Sequence, residues 1–212
     1  MKKYIDVSNF PLTHSLIENF DAIRAEFYIL SKKQLASKPN NVIISTNQRP
    51  ARGKILYSGA VQSVFTRVVK ESCSEPELLA AFGSTPESRA AAQLRFKERQ
   101  QITKTLEKCI EPYIDFIGSV GFNVIHPPGK INMHYGMCDT YIRIHMGLDC
   151  DPGARFFIEN LPPRAWEEKK VFAFSDGDAY HGTEHAGVNS RTILLLDIKK
   201  TAFSKLKEEI WP

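Results

Sequence analysis

The chain has 212 residues, 42% hydrophobic and 25% charged, with a formal net charge of +4. That length suits one domain with a substantial core, and the composition is that of an ordinary globular protein rather than a fibrous or disordered one. The 28 basic and 24 acidic side chains form no block of like sign, which argues against a nucleic-acid surface, and no run approaches the ~20 apolar residues of a membrane span.

At the start of the chain, Asp6, Ser8 and Asn9 interrupt any apolar targeting segment after Met1, Lys2 and Lys3, so the expected compartment is the cytoplasm. Leu16, Ile17, Phe20, Ile23 and Phe27 then recur at helical spacing, with Thr13 or Ser15 as the cap. Residues 38–52, rich in Pro, Asn, Ser and Arg, read as a loop. Gly53 to Val69 alternates as strands, with Ile55, Tyr57, Val64 and Val68 as apolar members. Thr85-Pro86-Glu87 brings together a cap, an N1 proline and a first-turn acid, a strong helix start. Ala90, Leu94, Ile102, Leu106 and Ile110 continue that helix until Pro112 kinks or ends it. It is expected to pack on the outside of a sheet.

After Gly118 the texture changes. Val120, Phe122 and Val124 alternate, and Tyr141 to Leu148, Arg155 to Ile158, Val171 to Phe174 and Thr192 to Ile198 follow as short strands between Gly, Pro, Asn and Asp. Helices first and many short strands later predict an α+β fold with a jelly-roll double sheet. The whole of 1–212 reads as one domain. Residues 1–118 are its mainly helical part with some strands, and residues 119–199 form the jelly-roll segment.

Five of the six histidines fall between His126 and His185. His134 and His145 are eleven residues apart, and Arg191 stands ten residues beyond His181. Neutral imidazole is a good ligand for Fe(II), and a planar guanidinium grips a carboxylate through two parallel hydrogen bonds. Arg191 opens the apolar run Thr192-Ile193-Leu194-Leu195-Leu196, where burying its charge is costly unless an anion meets it. Arg143, two residues before His145, shares that histidine's strand face. The competing reading gives both arginines to salt bridges with protein carboxylates. Cys73, Cys109, Cys138 and Cys150 form no CxxC pair, so they read as inert thiols rather than as a disulfide or zinc framework.

These segments resemble the aspartyl/asparaginyl β-hydroxylases, a branch of the Fe(II)/2-oxoglutarate dioxygenases. The resemblance covers residues 119 to 199. It rests on Phe122-Asn123-Val124-Ile125-His126-Pro127, Met133-His134-Tyr135-Gly136, Arg143-Ile144-His145-Met146-Gly147-Leu148, Trp166-Glu167-Glu168-Lys169-Lys170-Val171 and the His181 to Arg191 interval. It implies a double-stranded β-helix, the cupin-like jelly roll, with N-terminal and flanking helices. It also implies Fe(II) held by His134 and His181, with 2-oxoglutarate as cosubstrate and O2 as oxidant. Arg191 would hold the far carboxylate of 2-oxoglutarate, with Arg143 and His145 around it. Asn123 stands where the family commonly has a serine that contacts the cosubstrate. One extra residue lies between Phe174 and His181 relative to the pattern, which makes His185 the alternative second ligand.

Iron oxygenases of this kind usually add a carboxylate two residues after the first histidine. Here that position is Gly136. The resemblance permits a water there, as in the β-hydroxylases, or a halide, as in radical halogenases of the same superfamily. A third reading brings in Asp139, Asp176 or Asp178. The expected activity is hydroxylation of an unactivated C–H in an amino acid or related small polar molecule, such as a biosynthetic intermediate. The alternatives are halogenation and a non-catalytic cupin-like protein that binds metal or ligand. Trp166 and Tyr180 read as packing residues, the first-half helices as a lid or one wall of the pocket. The sequence assigns no oligomeric state.

Overall fold

The protein's structure, a computed structural model, describes residues 4–34, 57–58, 61–68, 85–136 and 139–203. The loop read over 38–52, Ile55, Cys73 and Cys138 lie outside the described residues. Among the described residues, ten strands make two antiparallel sheets. The larger has the order β1 (Tyr4–Ile5), β8 (Val171–Ser175), β6 (Tyr141–Asp149), β10 (Arg191–Lys199), β4 (Ile117–Ile125), β3 (Val61–Arg67). The smaller has the order β2 (Tyr57–Ser58), β5 (Gly129–His134), β9 (His181–His185), β7 (Ala154–Ile158). The two sheets form a double-stranded β-helix, and helices cover the outer face of the larger one. The fold is α+β.

Side-chain alternation sorts two cores. From β4, β6 and β10, Val120, Phe122, Ile144, Met146, Leu194 and Leu196 face outward and pack against the helices. The alternate positions of the same strands face the smaller sheet, where Ile193 joins Phe156, Trp166, Phe172 and Phe174 in a second cluster. These central strands are buried on both faces, which is why they read as nearly continuous apolar runs.

The helices differ from the sequence reading in two places. The first begins earlier, at Pro11: α1 (Pro11–Glu18) takes its N1 proline in place of a Thr13 or Ser15 cap, and Phe10 at the N-cap makes no side-chain cap bond. Thr13 is instead buried inside the helix. Asn19 then interrupts the apolar series, its amide donating to Ser15 O, and α2 (Phe20–Gln34) follows. The second difference is a break in the long helix. α3 (Pro86–Ile102) opens with the reciprocal Thr85/Ser88 capping box and stops at Thr103, whose hydroxyl bonds back to Arg99 O. α4 (Lys104–Ile110) then runs into a 3₁₀ turn, Glu111–Phe116, that begins at the proline. The side chains of Arg99 and Gln100 donate to Phe65 O and Thr66 O, so α3 covers the open edge of β3.

Candidate active site

The site lies between the sheets, and strand register builds it. β5 and β9 pair antiparallel with Ile131 opposite Thr183 and His134 opposite His181, so β5 spends one more residue than its partner across that interval. This bulge re-aims the strand. Without it, alternation from the inward-facing Ile131 would turn Met133 rather than His134 into the cavity. Gly182 lies against the bulge, where a Cβ would stand 2.8 Å from Ile131 O and 3.0 Å from Met133 N. The bulge needs a glycine opposite it.

The two imidazoles meet as neighbours, ring centroids 4.3 Å apart, and both are buried. His134 Nδ1 lies 2.7 Å from Asn132 O and His181 Nδ1 2.8 Å from Ala179 O. A carbonyl can only accept, so each Nδ1 carries the proton, and the neutral ring presents its Nε2 lone pair. Burial, with the nearby His134 and Arg143 charges, holds His181 well below the usual histidine range. Backbone carbonyls thus orient both rings as metal ligands are oriented elsewhere. His185 is differently employed. Its Nε2 donates to Asn189 O and its Nδ1 accepts from Gly187 N, so it ties down a loop beyond the far end of β9. His126 bonds Ser190 through Nδ1.

Arg191 enters the same cavity from β10 and is 1% exposed. Its Nη2 donates to Asn123 Oδ1 at 2.8 Å, its guanidinium stacks 4.5 Å from the Trp166 ring centre, and its Nε and Nη1 have no hydrogen-bond partner. No carboxylate among the described residues pairs with it. Burial lowers its pKa to about 9, so the cation persists at neutral pH. An uncompensated buried cation costs several kcal/mol, and an arriving anion removes that cost. Trp166 is therefore a wall of the site, beyond the packing role the sequence suggested.

His145 faces the cavity, enclosed by the rings of Phe156, Trp166, Phe172 and Phe174, with both nitrogens unpartnered. Burial, aided by the Arg143 and Arg191 charges, keeps it neutral and well below the usual range. Asn123 receives Arg191 on one side and donates to Ser63 Oγ at 3.0 Å on the other. Ser63, absent from the sequence reading, comes from β3 by its register with Asn123. It brings a serine hydroxyl beside the position where asparagine replaces one.

Arg143 also lines the cavity, but its fork is engaged. Nε and Nη2 bind both oxygens of Asp197 at 2.7 and 2.9 Å, and Nη1 lies 3.0 Å from Asp176 Oδ1. Of the three acids considered, Asp139 is exposed, and Asp178 bonds Ser175 Oγ and Lys200 Nζ. Asp176 is buried inside, its Oδ1 3.4 Å from His181 Nε2. Among the described residues no three His, Cys, Asp or Glu side chains form a preassembled metal cage; the imidazole pair is the donor set, with Asp176 beside it. Strands and the Trp166 loop supply the cavity lining, and the helices back the opposite face of the larger sheet. The described helices thus supply neither a lid nor a wall of this cavity. Cys150, also near Arg191, has its thiol pushed up to about 12 by burial, so it is not a reactive thiolate.

The family model for aspartyl/asparaginyl β-hydroxylase matches residues 79–201, more than half of the chain, and spans the site just described. The chain belongs to this family. The match begins well before residue 119, where the resemblance in the sequence starts. No curated protein matches the β-hydroxylase family member described here. Among solved structures it is similar to a prolyl-4-hydroxylase from Pseudomonas putida, with 15% identity over 85% of this chain and 86% of that one and a TM-score of 0.42. It is also similar to a cupin-like protein from Thermotoga maritima, with 10% identity, coverages of 74% and 84% and a TM-score of 0.40. Both scores are low, and nothing about this chain's chemistry follows from either likeness. No helix among the described residues is long and apolar enough to cross a membrane.

Proposed function

We propose that this β-hydroxylase family member is an Fe(II)/2-oxoglutarate-dependent oxygenase that hydroxylates an unactivated C–H of an amino acid or related small polar molecule. The reaction consumes 2-oxoglutarate, O2 and the substrate R–H and yields succinate, CO2 and R–OH. The observation that carries the reading is the pairing, in one cavity, of two Nε2 lone pairs with a buried, unpaired guanidinium. One end of the cavity suits a cation and the other an anion. A bridging ligand that is a metal chelator at one end and a carboxylate at the other suits both.

The donor set fits the metal: neutral imidazoles with fixed tautomers suit ferrous iron. Bound by His134 and His181, Fe(II) supplies the oxygen activation, and the rest of the work is positioning. Arg191 offers Nε and Nη1 to the far carboxylate of 2-oxoglutarate, while Asn123 and the Trp166 face hold the guanidinium in plane. His145 and Ser63 are neutral polar groups available to cosubstrate oxygens in an otherwise aromatic pocket. The charges also close. Two arginines and two aspartates sum to zero across the cavity, with Arg143 held between Asp197 and Asp176, and a divalent cation would balance a dianionic cosubstrate. On the substrate side, the half-buried Tyr135–Tyr180 pair, rings 5.0 Å apart, follows one ligand and precedes the other in sequence. It supports a small substrate with both an apolar face and polar groups.

Succinate release tests the reading. With Fe(II), ascorbate, 2-oxoglutarate, O2 and a panel of amino acids, the parent is expected to form succinate, and His134→Ala to form none. Full turnover in His134→Ala would contradict the ligand assignment. A folded, metal-loaded parent that forms no succinate, even uncoupled from substrate, would favour the non-catalytic cupin-like alternative.

A further inference from the structure

We propose that a groove at the β1 edge of the larger sheet is a second ligand site, built for a small organic monocarboxylate with an apolar body. The proposal goes beyond the iron chemistry and uses none of the polar groups of the catalytic cavity.

The groove lies between β1, α1 and residues 164–172, and encloses about 640 Å³. That is within the ~300–1,000 Å³ usual for small-molecule sites. Phe172 borders it, and the same ring stands 5.3 Å from the His145 ring centre. One aromatic layer thus divides the groove from the catalytic cavity. An occupant here does not reach the imidazole pair, so it is bound and not turned over.

Charge complementarity names the occupant. Arg164, Lys169 and Lys170 all line the groove. Among the described residues, none of the three has a carboxylate partner, although Asp6 and Glu18 border the groove from the β1–α1 side. The Arg164 guanidinium stacks 4.5 Å from the Phe172 ring centre and 5.6 Å from that of Tyr4. Stacking covers a face of the guanidinium and leaves its in-plane N–H donors for a carboxylate, as Trp166 does for Arg191.

Two hydroxyls add to the demand for an acceptor. Tyr4 and Thr13 line the groove, and the side-chain oxygen of each is buried without a hydrogen-bond partner. A carboxylate only accepts, so it meets hydroxyl and cationic donors alike. Ile5, Val7, Ile17 and Val171 supply apolar lining that inorganic phosphate would leave unused.

The backbone is bent to this arrangement. Lys169 has φ 64°, a left-handed conformation unusual for a residue with a side chain. Its N–H donates to Gly147 O at 3.0 Å and Gly147 N–H donates to Lys170 O at 3.1 Å, which locks the bend onto β6. An extended chain would send consecutive lysines to opposite faces; here both line one groove.

The test uses the full chain without iron or 2-oxoglutarate, and naphthalene-1-acetate as the probe, so its outcome is independent of the proposed oxygenase activity. In calorimetric titration the parent is expected to bind one probe per chain with a Kd of about 1 mM or tighter. The neutral naphthalene-1-acetamide is expected to bind about tenfold or more weaker, and Arg164→Gln to lose about tenfold or more for the acid. Lys170→Gln, at an exposed position, is expected to lose about threefold or more, which keeps the test intact if Arg164→Gln folds poorly. Folded Arg191→Met is expected to bind the probe as the parent does. No binding by the parent, an amide within about twofold of the acid, or Arg164→Gln and Lys170→Gln both within about twofold of the parent overturns the proposal. So does loss of binding in folded Arg191→Met, which would put the probe in the catalytic cavity. Displacement of the probe by an equal concentration of inorganic phosphate also overturns it, because the groove would then select charge alone.

Discussion

At the scale of single residues, the informative side chains are polar groups placed where an apolar residue would be cheaper. Arg191 and His145 both carry unpartnered nitrogens in a closed aromatic environment, and each such group costs roughly 1–3 kcal/mol or more without a ligand. His145 lends itself to a direct check. Its pKa and that of His181 lie below the ordinary ~6.5, so below that pH the unfolded chain takes up protons that the folded chain refuses. The contribution of these two rings to the stability of the metal-free protein is therefore flat above pH ~6.5 and falls as pH drops, by up to ~1.4 kcal/mol per unit for each ring. His145→Phe fits the aromatic surround and removes one of these rings. In denaturant unfolding, the variant is expected to gain about 1 kcal/mol on the parent between pH 7.5 and 5.5. An unchanged gap at the two pH values would mean that His145 titrates normally.

At the scale of elements, the bulge in β5 decides which side chain enters the cavity, and Gly182 lets the bulge exist. Gly182→Ala forces a methyl group against Ile131 O and Met133 N, so β9 must shift against β5 and carry His181 with it. The expected cost is about 1–3 kcal/mol in unfolding free energy, together with weaker Fe(II) binding. A variant with parental stability and affinity would show that the strand pair tolerates the shift without moving the ligand. The same bulge explains what was illegible in the sequence. β4, β6 and β10 were readable because both their faces are buried and their apolar runs are nearly unbroken. β5 and β9 were missed as strands because the extra residue breaks the alternation of one and His181-Gly182-Thr183-Glu184-His185 reads as polar. His134 and His181 were still singled out, because residue type and interval survive a bulge, and the structure brings their rings together. Asp176 reads as an ordinary Ser-Asp-Gly turn, and its meeting with Gly136, whose N–H donates to Asp176 O, depends on tertiary placement. The Arg143–Asp197 pair joins two strands 54 residues apart in sequence, which spacing within either strand does not reveal.

At the scale of the molecule, the fold sorts function by sheet face. One face of the larger sheet is an apolar seam with the helices, which supplies stability; the other holds the charged and imidazole groups, with the smaller sheet closing over them. A cavity with two imidazole lone pairs at one end and a guanidinium without a carboxylate partner at the other is expected to need a cation and an anion together. The most direct measurement is an anaerobic titration of 2-oxoglutarate into the Fe(II)-loaded protein, following the visible charge-transfer band that arises when a 2-oxo acid chelates ferrous iron. The band is expected to saturate with one cosubstrate per chain in the parent, to be absent in His181→Ala, and to need far more 2-oxoglutarate in Arg191→Met. A folded parent that binds iron yet develops no band, or an Arg191→Met variant that titrates like the parent, would contradict the site.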